Sequence, residues 1–329
     1  MSVKLDTTVV FQITGHLNGA FPATAGGILL GTGPEEREDG EVHVTESFPL
    51  PHNMVEGSGA QLSAKETQKY VSSMVSKLVQ VGADKHVEGW YLSSSVGAIY
   101  DAHVFDNLWD MHKKNPESFL LVNDVALSRA SGTTNLRAFR LSPEFVALRT
   151  ANPHRITTEQ LVEHGVDYRN LLQEVSVVLN NSVLVHRFAQ HYLTANPEEI
   201  SPSDQALRVP DQKVLETRGD AAMDTIDDLN YEQGNYNYYQ RQLVRERQKV
   251  AAWQQKRRGE NAVRLERFEN GEPDSDQLPL DEWKSLFAMP EEPNRLENLL
   301  LSAQLDEHTA EIEDLAGATS ATTLATKFV

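Results

Sequence analysis

The segment from Val87 to Ser95 constrains the fold more than any other part of the sequence. It reads Val-Glu-Gly-Trp-Tyr-Leu-Ser-Ser-Ser, an apolar and aromatic run that ends in three small hydroxyl residues. Such a run predicts a buried β-strand that leads into a loop. Side chains two positions apart lie on the same face of a strand, so Leu92 and Ser94 are expected to share one face where the strand ends.

This segment resembles the strand that carries the metal site of MPN-domain metallopeptidases, which reads Gly-Trp-Tyr-His-Ser-His-Pro. In that family the two histidines share a zinc ion, a serine and an aspartate follow, and a glutamate upstream is the catalytic base. The matching positions in this chain are Thr24, Leu92, Ser94, Ala102 and Phe105. The resemblance therefore implies an α/β MPN fold, a mixed sheet flanked by helices, that has lost its metal, its cofactor and its enzyme activity. A residual zinc isopeptidase is the alternative that these substitutions argue against.

The first 150 residues alternate between strand-like and helix-like patterns. Apolar alternation predicts strands over residues 7–17, 26–30, 42–48, 118–125 and 135–141. Apolar residues three and four apart predict helices over residues 63–81 and 101–113. Elements mixed in this order predict a sheet flanked by helices, in agreement with the implied fold. We expect residues 1–150 to form an MPN-like domain that closes its own core.

The region 151–270 changes to long apolar stripes at helical spacing. One predicted helix, over residues 168–192, has the stripe Leu171, Val175, Val178 and Val185. A second, which begins near residue 220, has a heptad-like stripe at Leu229, Tyr236 and Leu243. If the preceding domain is complete, such stripes have to be covered by each other or by a partner. We therefore predict that they form an interface with helices of other subunits.

The C-terminal part is predicted to contain a linker, one helix and a flexible tail. Residues 271–294 contain prolines and no regular pattern, which is typical of a linker. Residues 295–316 have helical spacing, whereas the tail 317–329 has no apolar period. The positions of this helix that we assign to the partner-helix interface are Leu296, Leu299, Leu300, Ile312 and Leu315.

Four stretches of the second half make the resemblance to MPN proteins more specific. They are a glutamine- and arginine-rich run at 248–260, Gly-Glu-Pro at 271–273, Trp-Lys-Ser-Leu-Phe at 283–287 and Asn-Arg-Leu-Glu-Asn-Leu-Leu at 294–300. A metal-free MPN domain followed by helices resembles the non-catalytic MPN subunits of the proteasome lid, the COP9 signalosome and eukaryotic translation initiation factor 3. The four stretches resemble the h-subunit family of the initiation factor.

The resemblance to that family implies a structural role. It implies a non-enzymatic, cytoplasmic subunit of initiation factor 3 that supports assembly of the 43S pre-initiation complex and recruitment of mRNA. The implied partners are the second MPN subunit, f, through MPN–MPN pairing, and PCI subunits through a helical bundle. The 40S ribosomal subunit is contacted through the complex. The alternative is a non-catalytic MPN subunit of the proteasome lid or the signalosome.

Composition and charge restrict the other kinds of partner. The chain of 329 residues has no cysteine, which excludes disulfides and thiolate metal sites. No apolar run approaches the length that spans a membrane, so no membrane partner is expected. The net charge of −18 repels polyanions and argues against general affinity for nucleic acid.

One basic block departs from this acidic background. Residues 241–268 contain nine lysines and arginines against three glutamates. Lys256, Arg257 and Arg258 are candidates for contact with RNA phosphates, with Trp253 available for stacking on a base. A solvated helix, or a face that binds protein, is the alternative that a charge run alone favours.

Overall fold

The computed structural model describes residues 2–33, 41–51, 64–131, 133–152, 155–195, 212–269 and 282–327. The strands are β1 (Ser2–Asp6), β2 (Gly26–Gly31), β3 (Val42–Pro49), β4 (His86–Ser93), β5 (Phe119–Asn123), β6 (Leu136–Leu141) and β7 (Leu172–Asn180). The helices are α1 (Thr7–Ala20), α2 (Ala64–Val81), α3 (Ala102–Lys114), α4 (Val125–Ser131), α5 (Pro143–Ala151), α6 (Thr158–His164), α7 (Val183–Ala195), α8 (Gln212–Glu269), α9 (Trp283–Leu286) and α10 (Leu296–Lys327).

The seven strands form a closed barrel in the order β1-β3-β2-β4-β5-β6-β7. Parallel pairing of β1 with β7 closes it, and Val3 lies beside Val177 at this junction. Strand β4 lies inside the sheet, antiparallel to β2 and parallel to β5. The predicted mixed sheet flanked by helices is confirmed, and so are its strands β2 to β6.

Successive residues of β4 point into two different cores. Trp90 and Leu92 belong to the core that lies under α2, α3, α5 and α10. Tyr91 points to the other face, into the core that α1 covers. Because both faces of the strand are buried, its sequence is a continuous apolar and aromatic run rather than an alternating one.

Residues 7–17 form a helix, so the strand predicted there is wrong. Val9, Ile13 and Leu17 lie four residues apart and are all buried along one side of α1. The run is rich in threonine, valine and isoleucine, whose β-branched side chains favour strands when no tertiary contact decides. Here the packing of one face of α1 on the barrel outweighs that preference.

The stretch 168–192, predicted as one helix, is strand β7 followed by α7. Strand β7 pairs antiparallel with β6 and parallel with β1, and without it the barrel would have two open edges. Leu171 and Val175 are buried in the cores of the domain and are not available to a partner helix. Residues four apart share a face in a strand as well as in a helix, so this spacing did not separate the two. The domain boundary predicted at residue 150 is therefore also wrong, since the barrel ends at Asn180.

Helix α10 belongs to the core of the barrel domain. Leu299, Leu300 and Ala303 lie in the same buried cluster as Leu92 and Phe105. The domain therefore does not close its core without the C-terminal helix, contrary to the expectation from the sequence. The helix also runs to Lys327, so the predicted flexible tail at 317–329 is helical through that residue.

The chain before α10 is fastened to the domain as well. The backbone N–H of Ile156 donates to Asn294 Oδ1 over 3.2 Å, and the N–H of Arg295 donates to the Ile156 carbonyl over 3.0 Å. Helix α9 and residues 287–294 are thus ordered parts of the predicted linker, whereas its part 271–281 lies outside the described residues. The long helix α8 has 58 residues and a length of about 87 Å.

Candidate functional site

The five positions that match the family's zinc site gather at one end of the barrel. Leu92, near the end of β4, pairs with Gly26 of β2. The next residue along, Ser93, donates its backbone N–H to the Ala25 carbonyl over 2.8 Å. This register brings Thr24 and Ser94 to neighbouring strand ends, as the spacing of the motif predicts.

Ala102 and Phe105 complete this group of positions from the first turn of α3. Phe105 is fully buried, and its ring centroid lies 5.6 Å from that of Phe145 and 6.0 Å from that of Tyr100. An aromatic core residue thus stands where the family has its third metal ligand. Edge-to-face ring pairs of this kind stabilise a core by about 0.5–1.5 kcal/mol beyond the burial of their area.

These residues do not fit a zinc ion. The five side chains supply two neutral hydroxyls and three hydrocarbon groups, whereas zinc is held by imidazole, thiolate or carboxylate. Across the described part of the chain, histidine and acidic side chains gather nowhere in the groups of three that a metal ion would need.

Helix α10 covers the loop that follows these positions. The backbone N–H of Val96 donates to Glu311 Oε1 over 3.2 Å. The ring of His308, which is 1% exposed, lies against Gly97, and a Cβ added at Gly97 would be 2.4 Å from it. Glycine at this position therefore permits the close approach of α10.

Arg218 of α8 ties the covering helix to the barrel. Its guanidinium forms ion pairs with Asp124, at the end of β5, and with Glu311 of α10, where Nε lies 3.2 Å from Oε2. The Arg218 side chain is 12% exposed and that of Asp124 is 3% exposed, so this is a buried bridge between three elements. Removing one member of such a network would leave the others as uncompensated buried charges.

The surroundings shift the pKa values of the two carboxylates of this network in opposite directions. Burial raises the pKa of Asp124, although the charge of Arg218 opposes the increase. Burial also acts to raise the pKa of Glu311, but the neighbouring His308 and Arg218 outweigh it and hold that pKa below its ordinary value. Glu311 is therefore the member whose ionised form the fold favours.

The chain itself covers most of the stripes that were predicted to bind partner helices. Leu299, Leu300 and Leu315 are buried, and the guanidinium of Arg295 lies 4.1 Å from the ring centroid of Tyr236. The half-buried members of the two stripes are Leu229, Tyr236, Leu243, Leu296 and Ile312. Helices α8 and α10 pack on each other along these faces. The two stripes are therefore largely intramolecular contacts.

A different apolar surface is open to solvent. Val183, Leu184 and Phe188 of α7 are 80%, 82% and 70% exposed. Val178 and Leu179 at the end of β7 are 45% and 51% exposed. We call Val183, Leu184 and Phe188 the α7 surface. Of the predicted interface residues in this part of the chain, Val178 is exposed near the end of β7 and Val185 of α7 is half-buried. The reasoning from sequence missed Leu184 and Phe188, although their spacing of four on a helix was a usable signal.

The basic residues predicted to contact RNA fall into two groups, one held in contacts within the chain and one exposed. Arg257 forms ion pairs with Glu282 and Glu260, and its guanidinium lies 4.9 Å from the ring centroid of Trp253. Trp253 in turn meets Phe287 edge to face, with the ring centroids 6.5 Å apart. Arg257 and Trp253 therefore hold the segment around α9 on α8. Lys256 and Arg258 remain exposed.

Comparison with known proteins decides the family. A family model described as the C-terminal region of eIF3h matches residues 129–327, and one described as JAB1/Mov34/MPN/PAD-1 ubiquitin protease matches residues 1–111. The chain is 38% identical to the H subunit of eukaryotic translation initiation factor 3 from Yarrowia lipolytica, over 99% of this chain and 97% of that protein. The H subunits from Aspergillus niger and Aspergillus fumigatus are 33% and 32% identical, over 99% of this chain and 95% of each. The chain belongs to the H-subunit family of eukaryotic translation initiation factor 3.

The bounds of the family match can be compared with those of the barrel. The match to the family's C-terminal region begins at residue 129, ahead of β6, so it includes the last strands of the barrel as well as the helices. Within the described ranges, the helices are all too short or too polar to cross a lipid bilayer.

Proposed function

We propose that this protein is a non-enzymatic structural subunit of translation initiation factor 3. Its relatives are named as subunits of that factor. In this role it supports assembly of the 43S pre-initiation complex and recruitment of mRNA in the cytoplasm, and it reaches the 40S ribosomal subunit through the complex. The domain contributes shape and contact surface, since its former metal positions carry Leu92 and Phe105.

The α7 surface is the observation that carries this proposal. Its three residues are between 70% and 82% exposed on one short helix. Contiguous exposed apolar side chains mark interaction sites, because leaving them in water forfeits about 1.5–3 kcal/mol for each large side chain. We assign this surface to pairing with the MPN domain of the f subunit.

Exposed apolar residues in the N-terminal third of α8 supply a second contact. Met223 and Ile226 of this helix are 61% and 36% exposed. An exposed apolar face on a long helix suits packing against other helices. We assign it to the helical bundle with PCI subunits.

Capture of the factor through this chain tests the assembly role. The double substitution Leu184→Asp with Phe188→Asp places two charges in the α7 surface. It should abolish co-purification of the f subunit, as measured by mass spectrometry of the complex captured through a tag. Because both side chains are exposed, the melting temperature of the isolated chain should stay within a few degrees.

Val162→Asp is the matched control, since Val162 of α6 is 78% exposed but lies outside the α7 surface. It should leave the captured complex intact. Full recovery of the f subunit with the double variant would refute the assignment of this surface. Capture of proteasome-lid or signalosome subunits in place of initiation factor 3 would refute the proposed complex.

Metal and activity assays test the non-enzymatic role. The purified chain should hold less than about 0.1 zinc per molecule after dialysis, because the site offers no ligand of the right chemistry. The variant Leu92→His with Ser94→His should still lack ubiquitin isopeptidase activity, since Thr24 and Phe105 replace the base and the third ligand. Isopeptide cleavage by the purified chain, if it were abolished by a chelator, would refute this part of the proposal.

A further inference from the structure

Helix α8 carries a basic face that stays exposed among the residues that the structure describes. Between residues 233 and 259 the helix has one carboxylate, Glu246, against seven lysines and arginines. Tyr236, Leu243 and Val250 are turned to the rest of the chain, and Val250 is 8% exposed. The opposite face is therefore free of a structural task within this part of the helix.

The residues on that opposite face share one direction, and four of the five are positively charged. With 100° of rotation per residue they fall within about 80° of arc. They are Tyr238, Arg241, Arg245, Lys249 and Lys256, and all five are exposed. We call them the basic stripe. From Tyr238 to Lys256 it extends over about 27 Å of the helix.

We propose that the basic stripe binds single-stranded RNA through its phosphates, with one base stacked on Tyr238. Arg241, Arg245 and Lys249 are four residues apart, so their charges recur about every 6 Å along the helix and can follow one phosphate chain. The Tyr238 ring is 63% exposed and offers a face for stacking that does not depend on base identity. This binding belongs to the isolated chain and does not rest on the proposed assembly.

Arg257 and Trp253 take no part in this site. Both are engaged in fastening the segment around α9 to α8, through Glu282 and Phe287. Lys249 also has a partner, since its Nζ lies 2.6 Å from Glu246 Oε1. Lys249 is exposed, Glu246 is half-buried and the pair spans one turn of the helix, so it contributes only about 0.3–0.5 kcal/mol and Lys249 can turn to a phosphate instead.

The acidic character of the whole chain does not prevent this binding. The nearest acidic cluster on α8, around Asp227 and Asp228, lies about 20 Å along the helix from Arg241. At physiological ionic strength the Debye length is about 8 Å, so repulsion from that cluster is largely screened at the stripe. Glu246 and Glu260 lie closer, but residues 238–260 have seven lysines and arginines against these two carboxylates, so the local charge at the stripe is positive.

Fluorescence anisotropy with a short, fluorescein-labelled oligouridine tests the proposal on the full chain. The triple variant Arg245→Glu, Lys249→Glu and Lys256→Glu should bind at least about tenfold more weakly. The plot of log affinity against log salt should become shallower by about 2, since three phosphate contacts are lost. The matched control is Lys69→Glu, Lys77→Glu and Lys114→Glu, which changes the net charge equally at exposed sites on α2 and α3. It should bind as the unsubstituted chain does.

Tyrosine variants test the stacking part. Tyr238→Ala should weaken binding about fivefold or more, whereas Tyr238→Phe keeps the ring and should bind normally. Tyr231→Ala is the control, because Tyr231 is 70% exposed but lies beside the acidic residues of the helix. Circular dichroism should show unchanged helix content in every variant.

Three results would overturn the proposal. The first is undiminished affinity of the triple variant, and the second is equal weakening by the α2 and α3 control. The third is displacement of the RNA by polyglutamate at equal charge concentration together with no effect of Tyr238→Ala. That last result would show that the stripe recognises negative charge alone and would assign it to an acidic protein partner.

Discussion

Helices α7 and α10 both have apolar residues at helical spacing, and the described chain covers those of α10 but leaves those of α7 exposed. Leu300 of α10 is 2% exposed, whereas Leu184 of α7 is 82% exposed. Both residues are leucines, so the difference is not one of composition. It shows that an apolar period identifies a face that needs covering but not the chain that covers it.

The largest expected effect comes from removing α10. Deletion of residues 295–329 removes Leu299, Leu300 and Ala303 from the core, and each large buried side chain contributes about 1.5–3 kcal/mol. We expect the remaining chain to be insoluble or to lack a cooperative melt by calorimetry. Deletion of residues 317–329 is the control, and it should preserve the melt because it leaves Leu315 in place. A cooperative melt after the longer deletion would break the comparison between the two helices.

Arg218→Met tests the buried ion pairs under α10. The change leaves Asp124 and Glu311 without their shared cation, which is expected to cost about 3–5 kcal/mol in the free energy of unfolding. Arg258→Met, at an exposed position of the same helix, should change that free energy by less than about 0.5 kcal/mol. Urea denaturation of both variants provides the measurement. Equal stabilities would show that the network does not hold α10 in place.

The same substitution at two leucines sharpens the comparison directly. Leu300→Ala should lower the free energy of unfolding by about 2–5 kcal/mol, because it opens a cavity in the core. Leu184→Ala should change it by less than about 0.5 kcal/mol, because Leu184 is exposed. Similar losses in urea denaturation at the two sites would mean that α7 is covered by the chain after all.

Replacing each of two glycines with alanine should change the stability of the protein in opposite directions. Gly97→Ala places a methyl group against the buried ring of His308 and should destabilise the protein by about 1–3 kcal/mol. Gly234→Ala, in open space on α8, should stabilise the protein by up to about 1 kcal/mol through its higher helix propensity. Thermal denaturation checks both changes. A neutral Gly97→Ala would show that α10 can lift from the loop at little cost.

The smallest expected effect is the dependence on pH of the stability that Glu311 contributes. Glu311 faces His308 and Glu307 on its own helix, Arg218 on α8 and Asp124 after β5. Because its pKa is lowered in the fold, its ionised form adds stability above the unfolded pKa of about 4.3, and this is lost as the pH falls through the folded pKa. Glu311→Gln should therefore cost about 1 kcal/mol at neutral pH, and the difference should shrink below about pH 4. If the stability difference between the unsubstituted chain and Glu311→Gln grew as the pH falls, the pKa of Glu311 would not be lowered in the fold.

The sequence predicted those features that depend on local pattern. The aromatic run 87–93 predicted a buried strand, and β4 lies there. Strand β7 was missed because Leu171 and Val175 suit a strand and a helix equally. The bridge from Arg218 to Asp124 joins residues 94 positions apart, and that from Val96 to Glu311 joins residues 215 apart. No period or motif connects residues at such separations, so only the structure could show that α10 packs over the loop that contains Val96 and Gly97.

The place of α10 in the core has a consequence for how the protein is made. A ribosome adds about 5–20 residues per second, so about 6–24 s pass between the synthesis of β7 and that of Leu300. During this interval the barrel has all its strands but an uncovered apolar face, which is a binding site for chaperones. A chain that terminates early therefore lacks a finished core and is open to proteolysis. Packing of α10 is therefore the step that buries this face of the barrel.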